Sequence, residues 1–155
     1  MMSKFKSVGL RIGITGATLG LASLALSAGV YAQGAGRTVW SGVYTADQAA
    51  RGKVAYDATC AACHGATLAG SDSAPALAGA GFLANWAGTS AGDLFERIHT
   101  TMPAGDPGSL AGPKVVDIEA YLFQANGFPA GNTPLPTAGQ ALANVQIVAT
   151  KSAGT

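Results

Sequence analysis

The chain contains two cysteines, and both stand in one five-residue stretch, Cys60-Ala61-Ala62-Cys63-His64. Two thiols three positions apart, followed at once by a histidine, form the C-x-x-C-H pattern by which a porphyrin is attached to a polypeptide. Each residue has a task in that chemistry. The thiols add across the two vinyl groups of the ring and fix it covalently. The histidine then lies beneath the iron and offers an imidazole as axial ligand. With both cysteines used here, none is left for a disulfide or a zinc site elsewhere. The expectation is one covalent haem c, held by Cys60 and Cys63, with His64 on the iron.

Two other uses of these residues exist. A redox pair of the thioredoxin kind follows a strand and opens a helix within a βαβ unit. Here the pair closes a helical stretch, and no βαβ pattern surrounds it. A zinc site takes about four ligands. Cys60, Cys63, His64 and His99 make up that number, but adjacent Cys63 and His64 are poorly placed to close on one ion.

The N-terminus carries Lys4, Lys6 and Arg11, then an apolar run from Ile12 to Leu26, then the small-x-Ala site Val30-Tyr31-Ala32 before Gln33. That order of charge, apolar run and cleavage site is a secretory signal. The rival is an uncleaved membrane anchor, but Gly13, Thr15, Gly16, Thr18 and Gly20 leave the run weakly apolar. The expected division is a signal peptide over 1–32, an arm over 33–44, the haem domain over 45–130 and a tail over 131–155. The expected location is the periplasm. Cleavage removes three of the nine basic residues and none of the eight acidic ones, so six stand against eight, a net charge of −2. No basic patch remains, which argues against a nucleic-acid partner. Electrostatic steering towards any partner is expected to be weak. The mature part is near the size at which a core is marginal and a covalent cofactor helps fill it.

Along that part, the Gly-rich arm carries Val39, Trp40, Val43 and Tyr44, expected to pack on the domain. Thr45 and Gln48 make a capping box for a helix from Ala46 to Thr59. Ala49, Gly52, Tyr56 and Cys60 share one face of it. Glycine inside a helix costs up to about 1 kcal/mol against alanine, so Gly52 predicts a second helix crossing closely there. Residues 65–81 read as a loop around the haem edge, in which the Pro75 carbonyl would accept the Nδ1–H of His64 and fix its tautomer. Phe82, Leu83 and Trp86 suggest a short helix. Ser90, with Asp93 three residues on, caps another, with Leu94, Phe95 and Ile98 on its apolar side and an end at Met102-Pro103. Pro113 is expected at the first position of a last helix, with Val115, Val116, Ile118, Tyr121 and Leu122 as its buried stripe and Gly127 and Pro129 ending it. The tail is expected to be loosely held, with Val145 to Ala149 as its one apolar patch.

Donors for the second axial position are few. Outside the signal, the chain has one methionine, Met102, and two histidines, His64 and His99. Met102 lies just past a helix end where the chain turns through Pro103, so its side chain is free to reach inward. His99 lies within the helix. Met102 is therefore the expected ligand. Histidine and methionine together raise the iron's reduction potential relative to two histidines and leave no open coordination position.

These residues resemble a class I cytochrome c over about Thr45 to Gly127. The likeness rests on Gly52-x-x-x-Tyr56, Cys60-x-x-Cys63-His64-Gly65, Pro75-x-Leu77, Met102-Pro103 and Asp117-Ile118-x-Ala120-Tyr121-Leu122. It implies an all-α fold of three main helices plus a short one wrapped around one haem. In it Gly52 and Tyr56 would meet Ile118, Tyr121 and Leu122 where the first and last helices cross, and the Pro75 carbonyl would bond the haem histidine. Separately, Trp86 or Tyr121 is expected to contact the ring or a propionate. A narrower likeness rests on Trp40-x-Gly42-Val43-Tyr44-Thr45, Thr101-Met102-Pro103, Pro107-Gly108-Ser109-Leu110 and Asn126-Gly127-Phe128-Pro129. These are similar to small bacterial cytochromes paired with quinoprotein (PQQ) alcohol dehydrogenases. The function implied is a periplasmic one-electron carrier, not an enzyme, taking electrons from a dehydrogenase and passing them to an oxidase or another cytochrome. The rivals are a gas sensor or peroxidase-like enzyme with a labile sixth ligand, and a subunit that docks on a dehydrogenase through its tail.

Overall fold

Thr45 opens the first long helix through reciprocal capping bonds. Its hydroxyl accepts the Gln48 N–H at 3.3 Å, and the Gln48 side-chain oxygen accepts the Thr45 N–H at 3.4 Å. The helix, α1, runs Ala46–Thr59. The computed structural model describes residues 36–137 and 139–151. The segment read as an export signal lies outside the described residues, as does the start of the arm.

After α1 come a four-residue turn of helix, α2 (Ala61–His64), then α3 (Gly79–Trp86), α4 (Ala91–Thr101) and α5 (Gly112–Ala125). α3 starts at Gly79, three residues before the apolar cluster that signalled it. Ser90 caps α4 as expected: its hydroxyl accepts the Asp93 N–H at 3.1 Å, and the Asp93 carboxylate accepts the Ser90 N–H at 2.8 Å. α5 begins at Gly112 after Ala111, so Pro113 is its second residue rather than its first. The difference is small because the first N–H groups of a helix have no intrahelical acceptor, and a proline there forfeits no bond.

α1 and α5 cross where Gly52 sits. A Cβ on Gly52 would run into the Asp117 carbonyl oxygen and lie 3.0 Å from the Ile118 nitrogen. The two backbones therefore touch, and only glycine permits it. Beside this point the rings of Tyr56 and Tyr121 lie 5.3 Å apart at 57°. Arg51 spans the same crossing on the outside, with two bonds of 2.7 Å to the Asp117 carboxylate. Ala49, Tyr56, Phe82, Leu94, Val115, Val116, Ile118, Leu122 and Phe123 are buried in the core this assembles.

The C-terminal segment is not the loose tail that its composition suggested. Leu135, Leu142, Val145 and Ile147 are buried. A short helix, α6 (Gly139–Leu142), lies against α4. Two-residue strands, β1 (Arg37–Thr38) and β2 (Val145–Gln146), pair in parallel and join the arm to the end of the described chain. The Gln48 amide bonds both ways to the backbone of Leu135, at 3.2 and 2.8 Å. Tyr44 donates to the Phe128 carbonyl at 2.6 Å, and Trp40 stacks edge-on to Phe128 at 5.0 Å. The apolar side chains of the segment are too widely spaced to give a helical or strand period. They are buried because the arm, α1 and α4 supply the other half of these contacts. The Val145–Ala149 patch, the dock of the rival subunit reading, is thus largely taken up within the domain.

Candidate functional site

Cys60 ends α1 and starts α2 at once: its N–H bonds to the Tyr56 carbonyl, and its own carbonyl accepts the N–H groups of Cys63 and His64. The break between the helices keeps the two thiols on one short turn. Both are free; Cys60 is half-buried and Cys63 exposed. Burial pushes the Cys60 thiol pKa up. His64, only 8% exposed, closes α2. Its Nδ1 lies 2.8 Å from the Pro75 carbonyl oxygen. A carbonyl can only accept, so Nδ1 carries a proton, and in the neutral ring the lone pair is then on Nε2. That is the arrangement a metal-binding imidazole needs.

The loop that brings Pro75 to His64 is tied at several points. The His64 carbonyl accepts the Gly70 N–H at 2.9 Å, and the Leu68 carbonyl accepts the Leu77 N–H at 2.8 Å. Gly70 has φ +78°, and a Cβ there would stand 2.6 Å from the Ala76 nitrogen and 2.8 Å from the Pro75 carbonyl carbon. The backbone can fold this tightly over Pro75 only because Gly70 has no side chain. The Ser71 hydroxyl donates to the Cys63 carbonyl at 2.8 Å.

Two supporting residues carry no local sequence signal for their role. Tyr56 was read only as a packing residue, yet its hydroxyl donates to the Gly65 carbonyl at 2.7 Å, directly after the histidine. Burial first, then neighbouring Cys60, Tyr121 and Asp57, push its pKa up to about 12, so it stays a donor. Asn126, at the end of α5, entered the sequence reading only as part of the Asn126-Gly127-Phe128-Pro129 motif. Its side chain accepts the Gly79 N–H at 2.9 Å and donates to the carbonyls of Leu77 at 3.0 Å and Leu122 at 2.8 Å. It fastens the far end of the Pro75 loop to α5.

The other predicted site residues fall as follows. Met102 caps the C-terminal end of α4 in extended conformation (φ −121°, ψ 151°) and is half-buried against the core. His99 stacks on Phe95 at 5.2 Å and 23°. Trp86, at the end of α3, is half-buried against the core. Tyr121 packs on Tyr56, with the Lys53 ammonium 5.9 Å from its ring centre. Among the described residues, no three or more of His, Cys, Asp and Glu gather as a metal site built from them would require.

Residues 47–122 match the family model described as Cytochrome C oxidase, cbb3-type, subunit III. The chain carries a cytochrome c domain. The domain has the helical cytochrome c-like fold, and with its C-x-x-C pair it carries covalent haem c. Such a domain carries electrons between redox partners. Among solved structures, the sulfane dehydrogenase SoxCD from Paracoccus pantotrophus contains a chain with 25% identity and a TM-score of 0.42, over 57% of this chain and 53% of that one. The match thus spans about half the length of that chain. No curated protein matches the sequence.

The residues present fit a haem. Two unbridged thiols lie on one turn, the adjacent imidazole has its Nδ1 already engaged, and Met102 stands at the end of a different helix. Leu77, Leu83, Trp86 and Met102 each present a half-buried apolar side chain packed on the core, the kind of surface a flat, mainly apolar ring covers.

Proposed function

We propose that this cytochrome c domain is an exported one-electron carrier whose haem is linked through Cys60 and Cys63 and ligated by His64 and Met102. The observation that carries the reading is the 2.8 Å bond between His64 Nδ1 and the Pro75 carbonyl. It holds the proton on the nitrogen away from the metal and fixes the plane of the ring. When bound, the haem supplies an iron that takes up and gives back one electron. The protein's part is to keep its ligands where they are in both oxidation states. Pro75, with Gly70, Tyr56 and Asn126 behind it, holds His64; Met102 offers a soft donor from the end of α4. Trp86 and Tyr121 are the aromatic residues assigned to the ring or its propionates.

The chain's address rests on residues 1–32, read as a signal peptide for the periplasm. Among the described residues, no helix is long and apolar enough to cross a membrane. A dehydrogenase is the proposed donor, and an oxidase or second cytochrome the proposed acceptor. Pairing with a quinoprotein dehydrogenase rests on the motif likeness alone. With little net charge, docking would use the apolar surface near the exposed Cys63 turn, in a small and transient contact.

The test is a visible spectrum with a potentiometric titration of the exported, haem-loaded protein. Met102→Ala should abolish the methionine-sulfur-to-iron band, lower the potential by on the order of 0.1 V, and let the reduced form bind carbon monoxide quickly. An unchanged spectrum and potential would remove Met102 from the iron. Rapid carbon monoxide binding by the unaltered protein would favour a sensor or peroxidase-like role instead.

A further inference from the structure

Met102 is anchored unequally on its two sides. On the C-terminal side, residues 104–109 are exposed, and the backbone bonds described there, Asp106 N–H to the Pro103 carbonyl and Ser109 N–H to the Asp106 carbonyl, close turns within the loop itself. On the N-terminal side, the Met102 N–H bonds to the Ile98 carbonyl at 3.1 Å and continues α4. What holds α4 therefore holds the methionine.

The far end of α4 is held by the C-terminal segment. Ile147 is fully buried. Its N–H donates to the Thr89 carbonyl and its carbonyl accepts the Gly88 N–H, each at 2.9 Å. Gln146 forms an antiparallel bridge with Ser90, the capping residue of α4. β2 is itself held from behind by β1, and the Trp40 indole donates to the Val148 carbonyl at 3.0 Å. Along the side of the helix lies α6, with Leu142 fully buried. The segment thus fixes both the start of α4 and part of its flank.

We infer that residues 142–148 act as a strap that positions α4 and, through it, Met102, so that this distant segment sets how firmly the methionine stays on the iron. Ile147 is a positioning residue in this sense; it acts through α4 and is assigned no contact with the cofactor. The inference rests on the reading of Met102 as axial ligand. A helix whose start is untied opens locally more often than the whole domain unfolds. Each local opening gives a competing ligand a chance at the iron.

The experiment is displacement of the methionine by added imidazole in the full, haem-loaded protein, followed through the methionine-sulfur band. It is run at a temperature where far-ultraviolet helicity is unchanged. Ile147→Ala should speed displacement roughly tenfold or more, since it removes a fully buried side chain from the strap. Trp40→Phe, which deletes one strap hydrogen bond and keeps an aromatic ring, should speed it by a smaller factor and decides the matter if Ile147→Ala does not fold. Displacement at the unaltered rate in the folded variants, even with a lower melting temperature, would mean that the segment only adds bulk stability, and the inference would fall. A wild-type protein without any methionine-sulfur band would instead overturn the ligand reading, and this inference with it.

Discussion

The two sides of the proposed haem site are built in different ways. The His64 side is assembled from neighbours in sequence: Cys60 to Pro75 make one tight loop, and its internal bonds join residues within about a dozen positions of each other. The Met102 side is assembled from strangers. Its helix is tied by residues more than fifty positions further on, and those are tied in turn to the arm that precedes α1. A locally built site forms whenever its loop closes. A site built from distant segments forms only when the whole domain does, and it is the first to open. The comparison predicts that insults to α1–α5 damage both sides together, insults to the Pro75 loop loosen the histidine, and insults to the strap loosen the methionine.

The largest effect should come from Gly52, the point on which both sides stand. Gly52→Ala gains about 1 kcal/mol of helix propensity. It also places a methyl group against the Asp117 carbonyl, which is backbone and cannot rotate aside. Forcing the helices apart should cost on the order of 3 kcal/mol net, read as a lower urea midpoint with an unchanged slope. If the midpoint stays within error, the crossing is looser than the structure has it, and α1–α5 is not the common support.

How far this was legible in the sequence follows the same division. The C-x-x-C-H turn, the Thr45 and Ser90 caps and the bond from Pro75 to His64 depend on local spacing, and they were read from it. Gly52 was readable because a glycine in a helix asks for a reason. The strap was not readable. Its strands have two residues each and exist only by pairing, and its apolar residues are interspersed with Ala, Gly and Thr. Asn126 was not readable as a fastener, because its partners at Gly79 and Leu77 are 47 and 49 positions away. Glu119 was passed over because charged residues are rarely fully buried, although it stands inside the stripe of α5.

A smaller effect separates the two sides. Asn126→Ala removes one acceptor and two donated bonds and leaves the Leu77 carbonyl and Gly79 N–H to find water. Part of that region is exposed, so the loss should be about 1–2 kcal/mol. The signature matters more than the size. The histidine side should loosen, so that the proton exchange of the His64 ring N–H, followed by NMR, quickens while imidazole displaces the methionine at the unaltered rate. Quicker displacement with an unaffected histidine would reverse the assignment of Asn126 to the His64 side.

The smallest effect is a slope, and it lies in α5, which packs on both α1 and α4. Glu119 is fully buried, and among the described residues neither of its oxygens has a partner. Burial raises its pKa well above the ordinary 4.5. The folded chain therefore keeps this carboxyl protonated at pH values where the unfolded chain has released the proton. Its contribution is fully present below about pH 4.5 and is lost as pH climbs from there towards the raised folded value. Glu119→Gln keeps a neutral polar group of the same shape and has no proton to lose. The two proteins should unfold at similar urea concentrations near pH 4.5, and the glutamine variant should become progressively the more stable towards neutral pH. Both sides of the site should share that gain, because α5 supports both. A stability difference that stays constant with pH would mean that the carboxyl is paired or wet in solution, and that α5 is less tightly enclosed than the burial of Glu119 requires.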